Sequence, residues 1–334
     1  MNLLLSYAFH RAPGWEHALR CVHEQGGATL VDSGAFTAHS IGARVTLAGY
    51  CNFLRRNLGA VDEYIALDVV GDRHKTVETY REMVKLGLRP MGVVTNDMTA
   101  EQAQEYLEHN PRICAAGGSR GVACLDWYPQ KMELIQRLSD RRARIHALGF
   151  TPNGYEGFKP VASADSSSWS YVLRFGGVTW WDPVTCQMER TRWDSLVGVE
   201  PPAALATAMA NSNVDISTTG RDFYKLSRGA YSFAAYITAA AWMCRLAYAQ
   251  NRHGLRLYLS VTQPSYVGLL LQAMKHGAPD GSVDFEAIMG ERKQLTGAIA
   301  SGHVYARRYT QQAFDAYRKN FDGARPASFW GDDV

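Results

Sequence analysis

The sequence lacks the signatures of several common protein classes. It contains no GxxxxGK[ST] P-loop, and no GxGxxG segment opens a helix after a strand, so neither a nucleoside triphosphate nor a dinucleotide cofactor is expected. Its six cysteines are scattered and form no CxxC pair. Scattered thiols in a chain of 334 residues indicate reduced, buried residues of a cytoplasmic protein.

Export signals and long apolar runs are also missing. The start, MNLLLSYAFH, has no basic n-region, and its apolar stretch is too short for a signal peptide. The most apolar segment, 234–244, is followed at once by Arg245 and is shorter than the roughly 20 residues of a membrane span. A net charge of +3 allows a nucleic-acid partner without requiring one. We therefore expect a soluble protein with no membrane partner.

Short apolar, β-branched runs alternate with helical patterns through the first half of the chain. The predicted strands are 2–7, 28–31, 64–70, 90–94, 112–115, 144–148 and 161–164, and the predicted helices include 46–57, 75–86, 99–109 and 129–139. This alternation predicts βαβ units and a parallel sheet. Because the unit recurs six or seven times, an α/β fold of the (β/α)8 TIM-barrel type is favoured over an open doubly wound sheet.

The second half of the chain has a different pattern. Segments 171–174 and 179–181, separated by Gly176 and Gly177, predict a hairpin or an interrupted strand. Helical patterns dominate after Pro201, at 203–210, 232–250, 265–276 and 305–320, and 255–261 is the clear strand candidate there. We therefore predict that residues 1–200 form most of a TIM-barrel catalytic domain. Residues 201–334 would be a helix-rich part that completes the barrel, forms a nucleic-acid-binding appendage, or does both.

Carboxylates follow three of the predicted strands. In a parallel barrel the carboxyl ends of the strands form one face, where active residues stand. Asp32 follows the second strand, Asp68 the third and Asp165 the seventh, which predicts glycosidic or proton-transfer chemistry. The residues that follow the predicted strands include no obvious histidine or lysine, which argues against a Schiff-base aldolase and a histidine-bound metal hydrolase. A single strand-end Asp is more often a helix cap or turn residue, so the hypothesis depends on the ordered set.

The ordered strand ends resemble those of a known family. In chain order they are VDSGAF (31–36), YIALDVV (64–70), GVVT (92–95), AAGGSRG (115–121), HALGFTP (146–152) and ASADSSSW (162–169). The series resembles the guanine transglycosylases, TIM-barrel enzymes that exchange guanine for a 7-deazaguanine without breaking the nucleic-acid backbone. The DSGAF form and the short chain are most similar to the phage-type 7-deazaguanine DNA transglycosylases (DpdA-like), which are related to tRNA-guanine (queuine tRNA-ribosyltransferase-like) enzymes. A phage-encoded member would work in the host cytoplasm.

The resemblance implies a role for each matched residue. Asp165 matches the nucleophile that attacks C1′, and Asp32 matches the acid/base carboxylate. Asp68 matches the carboxylate that hydrogen-bonds the guanine edge. Further substrate-binding positions are implied at Phe36, which would stack on the base, and at Ser33, Gly34, Thr95, Gly117 and Gly118. Thr95 stands where the tRNA enzymes have a glutamine, so one base contact is changed or lost.

Base exchange at C1′ explains why two carboxylates are needed. Keeping the β-anomer requires two inversions, so one carboxylate forms a covalent glycosyl intermediate while a second shuttles the proton. One glycosidic bond replaces another, and no ATP or other cofactor is needed. The implied partners are DNA and a free 7-deazaguanine base, preQ0 or a related compound. The target guanine has to leave a duplex stack to reach a barrel mouth, or the substrate is single-stranded.

The C-terminal third favours DNA over tRNA as the polymer. The tRNA enzymes carry a CxCxxC…H zinc module, whereas this chain has only Cys186 and Cys244 after Cys124, so no metal is expected. Aromatic and basic residues alternate there, as in surfaces that bind single strands. The candidate nucleic-acid-binding residues are Arg292, Lys293, Arg307, Arg308, Arg318 and Lys319. An ordinary solvated helix face is the alternative interpretation of 305–319.

Three other functions remain as alternatives. The first is a tRNA-guanine transglycosylase with the same chemistry. The second is a catalytically inactive TIM barrel that binds nucleic acid or free base. The third is an unrelated TIM-barrel lyase or hydrolase that acts on a small molecule.

Overall fold

Eight parallel strands form one curled sheet. This computed structural model describes residues 1–8, 14–24, 26–35, 38, 44–95, 98–116, 124–151, 160–170, 176–196, 198–211, 233–261, 266–267, 269–270 and 273. In chain order the elements are β1 (Asn2–Ser6), α1 (Gly14–Glu24), β2 (Ala28–Asp32), α2 (Leu47–Asn57), β3 (Glu63–Tyr64), α3 (Arg73–Lys85), β4 (Gly92–Val94), α4 (Ala100–His109), β5 (Arg112–Ala115), α5 (Cys124–Ser139), β6 (Arg144–Ala147), β7 (Val161–Ser166), β8 (Gly177–Asp182), β9 (Gln187–Arg192), α6 (Ala203–Asn211), α7 (Phe233–His253) and β10 (Arg256–Val261).

The two ends of the sheet meet between β3 and β4. The sheet order is β3-β2-β1-β10-β7-β6-β5-β4, and Ile65, just after β3, forms a parallel bridge with Met91. The Met91 N–H donates to the Tyr64 carbonyl at 2.8 Å, and the Ala66 N–H donates to the Met91 carbonyl at 2.9 Å. Backbone hydrogen bonds therefore join the eight strands in a ring. The predicted (β/α)8 barrel fold is confirmed, and the open-sheet alternative is wrong.

Two apolar layers hold the barrel. Successive strand residues point to opposite faces, so Leu4 packs inside the barrel while Leu3 and Leu5 pack outside it. The inner layer contains Leu4, Leu30, Ile65, Met91, Val93, Cys114 and Tyr258. The outer layer lies between the strands and helices such as α2, α3 and α5. The inner layer lies in the middle of the barrel, so polar side chains can occupy the inward-facing positions at the two ends of the strands.

Side-chain caps mark the starts of α2, α3 and α4. Thr99 Oγ1 accepts a hydrogen bond from the Gln102 N–H, and Gln102 Oε1 accepts one from the Thr99 N–H, so the two residues form a capping box at the start of α4. Asp72 accepts from the Lys75 N–H at 3.0 Å and caps α3. Asp72, although it lies in the loop after β3, is therefore a structural residue.

The hairpin in the middle of the chain differs from the predicted one. Segment 179–181 lies in β8, but β8 pairs antiparallel with β9, a strand that was not predicted. The β9 sequence QMERTR is polar and largely exposed, so it has no apolar run to mark it as a strand. The other predicted segment, 171–174, lies outside the described residues.

The C-terminal part of the chain supplies the eighth barrel strand. The predicted strand 255–261 is confirmed as β10, which lies between β1 and β7. The helix before it, α7, has 21 residues and packs against β8 and β10. No described helix is long and apolar enough to cross a membrane. The predicted helix 305–320 lies outside the described residues.

Candidate active site

Three aspartates stand at the carboxyl ends of the barrel strands. Asp32 ends β2 and is paired in register with Ser6 of β1. Asp165 is in β7 and is paired with Tyr258 of β10, and Asp68 follows β3. The strands are parallel, so the three carboxylates face the same mouth of the barrel, which we term the aspartate mouth. The sequence predicted this placement.

Asp32 is the carboxyl group whose proton affinity changes most clearly. Its Oδ2 accepts a hydrogen bond from the Gly34 N–H at 3.0 Å. Burial, then the Asp68 carboxylate and more weakly Asp165, raise the pKa of Asp32 to about 7, against the opposing effect of the backbone hydrogen bonds. A carboxyl group with this pKa can both donate and accept a proton near neutral pH.

The DSG segment holds Asp68 as well as Asp32. The Ser33 hydroxyl is buried and donates to Asp68 Oδ1 at 3.1 Å. Burial raises the pKa of Asp68, although the Ser33 hydrogen bond partly opposes this. Gly34 has φ +69°, and a Cβ there would lie 2.1 Å from the Ser6 hydroxyl. Ser33 thus orients Asp68, and Gly34 permits a turn that a side chain would block.

Asp165 is held from two sides. It is 6% exposed, and its Oδ1 accepts a hydrogen bond from the Gly149 N–H at 2.7 Å. His146 Nε2 lies 3.3 Å from the same oxygen. The other ring nitrogen, Nδ1, is 3.0 Å from the Ser163 hydroxyl. The Gly149 hydrogen bond fixes the direction of the Asp165 carboxylate, as a positioned nucleophile requires, whereas His146 Nε2 lies at ion-pair distance without a hydrogen bond to the carboxylate.

His146 corrects the expectation that no histidine belongs to the site. It lies in β6 and is buried against Asp165. The two-residue period of β6 places Arg144, His146 and Leu148 on one face, and this signal could have found it. Gly149 was seen in the sequence only as part of a loop, yet its φ of +62° belongs to the conformation in which its N–H reaches Asp165.

Tyr50 supports the two strand ends that carry Asp32 and Asp68. Its hydroxyl lies 2.7 Å from the Ile65 carbonyl and 3.2 Å from the Val31 carbonyl. Tyr50 is fully buried in α2, so a single helical side chain ties β2 to the segment after β3. No sequence pattern indicates this contact, because an aromatic residue in an amphipathic helix is typical of any core.

The remaining predicted positions are only partly described. Thr95 follows β4 at the same end of the barrel and is partly exposed. Its proposed role in base binding stays a prediction. Several other predicted residues lie outside the described part of the chain: Phe36, Gly117, Gly118, Arg292, Lys293, Arg307, Arg308, Arg318 and Lys319.

Within the described residues, no group of three or more His, Cys, Asp or Glu side chains is arranged to hold a metal ion. The expected lack of a C-terminal zinc module stays a prediction, because residues 274–334 lie outside the described part of the chain.

No protein-family model matches the chain, and no curated protein matches it. Any function proposed for the chain therefore depends on its own residues.

Proposed function

We propose that the protein is a nucleic acid guanine transglycosylase that exchanges guanine in DNA for a 7-deazaguanine base. The observation that carries this proposal is that the aspartate mouth combines one carboxyl group with a raised pKa and a second that is held in place by a backbone hydrogen bond. Asp32 has a pKa of about 7, whereas Asp165 is fixed by the Gly149 N–H. A proton shuttle and a positioned carboxylate at the same mouth are the two groups that a retaining glycosyl transfer needs.

The first step breaks the bond between guanine and the sugar. An Asp165 carboxylate oxygen bonds to C1′ as the C1′–N9 bond breaks, and the bonding electrons leave with guanine. Protonated Asp32 supplies the proton that neutralises the departing base. This leaves a glycosyl ester on Asp165 and an ionised Asp32.

The second step reverses the roles. Ionised Asp32 takes the proton from N9 of the incoming base, and N9 then attacks C1′. The ester bond breaks and its electrons return to the Asp165 carboxylate. Because Asp32 acts first as an acid and then as a base, a pKa near 7 suits both steps at neutral pH.

Asp68 gives the proposed site its preference for guanine. An ionised carboxylate can accept hydrogen bonds from N1–H and the exocyclic amine of guanine, an arrangement that adenine does not offer. Ser33 holds Asp68 Oδ1 at 3.1 Å, which leaves Oδ2 for the base. A 7-deazaguanine has the same edge, so one carboxylate can serve both the departing and the incoming base.

The test measures base exchange directly. DNA and tRNA labelled in guanine are incubated with the protein and each candidate 7-deazaguanine, and the released label is counted. We expect release from DNA, and a loss of at least about 10³-fold in Asp165→Asn, because the asparagine amide is a poor nucleophile. DNA binding should persist in this variant, since it depends largely on phosphate contacts.

A matched variant controls for the loss of one carboxylate. Asp140 is exposed at the end of α5, where it accepts a hydrogen bond from Gln136 at 3.0 Å, and Asp140→Asn should exchange bases at the wild-type rate. Substantial exchange by Asp165→Asn would remove the nucleophile assignment. Exchange on tRNA alone would replace the DNA proposal with the tRNA alternative.

A further inference from the structure

A second charged cluster lies at the opposite mouth of the barrel, where the strands begin. Glu63, Arg112, Arg144 and Arg256 are the first residues of β3, β5, β6 and β10. They line a pocket of about 120 Å³, which we term the arginine mouth. Arg112 and Arg144 are direct neighbours in the register of β5 and β6. Three guanidinium groups from three strands therefore face one small space.

The carboxylates nearby leave part of this positive charge unpaired. Glu63 Oε1 forms ion pairs with Arg112 and, at 3.5 Å, with Arg256. Its other oxygen, Oε2, is buried without a hydrogen-bond partner. Asp62, the next carboxylate, accepts hydrogen bonds from Thr29. Among the described residues, Arg144 has no ion pair with any carboxylate.

Arginines cannot relieve this crowding in the way that aspartates can. Burial and then the charge of Arg144, with a further effect from Arg256, lower the pKa of Arg112. A guanidinium nevertheless stays protonated at any physiological pH. At the aspartate mouth, a proton on Asp32 relieves the repulsion between like charges. At the arginine mouth, only a bound anion can offset the positive charge that the carboxylates leave unpaired.

We propose that the arginine mouth binds a phosphate group. The planar fork of a guanidinium matches the oxygens of phosphate, and several such forks converging on one space favour a tetrahedral anion. Pockets for drug-sized ligands occupy about 300–1,000 Å³, so this pocket suits one phosphate group and not a whole nucleoside. The bound group could be inorganic phosphate, the phosphate of a small monoester, or a phosphate of a nucleic-acid backbone. The inference does not depend on the activity proposed for the aspartate mouth.

Calorimetric titration of the full chain with inorganic phosphate at low ionic strength tests the proposal. We expect saturable binding that Arg144→Gln weakens by about tenfold or more, because a charge-assisted hydrogen bond is lost. Arg144 is exposed and unpaired among the described residues, so the variant should fold normally. The matched control is Arg20→Gln, which removes an exposed arginine from α1 and should leave the affinity for phosphate unchanged.

A competition arm separates the two sources of the phosphate group. Phosphate binding that persists in the presence of a single-stranded oligonucleotide indicates a free or monoester phosphate, and displacement by the oligonucleotide indicates a backbone phosphate. Both results support a phosphate site. The proposal is overturned if the wild type shows no saturable binding at millimolar phosphate, or if Arg144→Gln binds phosphate as the wild type does.

Discussion

The two mouths of the barrel carry clusters of opposite charge, carboxyl groups at one end and guanidinium groups at the other. Asp32 and Asp165 stand near the ends of their strands, whereas Arg112, Arg144 and Arg256 stand at the beginnings of theirs. At the aspartate mouth, burial and then the neighbouring carboxylates raise the pKa of Asp32 to about 7, so Asp32 can bind and release a proton near neutral pH. Guanidinium groups keep their protons. The same barrel therefore carries a carboxyl group with a pKa near neutrality at one mouth and a cluster of permanent positive charges at the other.

A polar connection runs between the two mouths. Ser163 lines the arginine mouth and lies 3.0 Å from His146, and His146 in turn lies 3.3 Å from Asp165. Residues around it inside the barrel, such as Leu4 and Tyr258, are largely apolar. The side chains of β6 and β7 thus join two charged regions that the apolar layer otherwise separates.

The largest expected effect on stability tests the aspartate mouth. The pKa of Asp32 is raised from 3.8 to about 7, so between about pH 4 and 7 the unfolded chain ionises Asp32 while the folded protein keeps it protonated. Wild-type stability should fall as pH rises through this window and level off above it. Relative to the wild type, Asp32→Asn should gain about 2–4 kcal/mol in the free energy of unfolding across the window.

Urea denaturation at several pH values measures this gain. The control Asp140→Asn should follow the wild-type pH profile, because Asp140 is exposed. Parallel profiles for Asp32→Asn and the wild type would show that Asp32 ionises normally in the folded protein. That result would contradict the claim that the aspartate mouth binds a proton near neutral pH while the arginine mouth stays fully charged.

The next effect tests the arginine mouth. Glu63→Gln leaves Arg112 and Arg256 beside Arg144 without the carboxylate that pairs with them, and should lower the free energy of unfolding by about 2–3 kcal/mol. Arg144→Gln removes an unpaired exposed charge and should change it by no more than about 0.5 kcal/mol. Urea denaturation in a phosphate-free buffer compares the two variants. Equal losses would show that the charges at this mouth do not interact as described.

A smaller effect concerns the affinity for the free base. Asp68→Asn replaces an acceptor with a group that also donates, which leaves a mismatched contact with guanine and should cost about 1–3 kcal/mol of base affinity. Affinity for nucleic acid should change much less. Fluorescence or calorimetric titration measures both affinities. Equal losses of the two would mean that Asp68 only holds its loop in place.

Much of the barrel could be predicted from the sequence because its signals are local. In 112–115 a short apolar run, Ile113 to Ala115, follows Arg112, and β5 matches the prediction residue for residue. The strand-end aspartates were found for the same reason, since position along a parallel strand decides which mouth a residue faces. β9 was missed because its stabilising contacts come from its partner strand and not from an apolar pattern of its own.

The contacts that shape the site depend on pairing between distant segments. His146 meets Asp165 because β6 and β7 are neighbours, and their register shifts between Ile145 and His146, which no local pattern indicates. The cluster of Glu63, Arg112 and Arg256 likewise joins residues up to 193 positions apart. Sequence patterns give the face and the end of the barrel for each residue, but not its partners.

Trapping the covalent intermediate tests the central claim most directly. The protein is mixed with DNA in the absence of an added base, so that only the first step can proceed, and is then rapidly denatured. The peptide that contains Asp165 is examined by mass spectrometry. The proposed chemistry predicts a glycosyl adduct on Asp165 that disappears when a 7-deazaguanine is added and never forms in Asp165→Asn. Guanine exchange that proceeds without an adduct, or with an adduct on another residue, would contradict it.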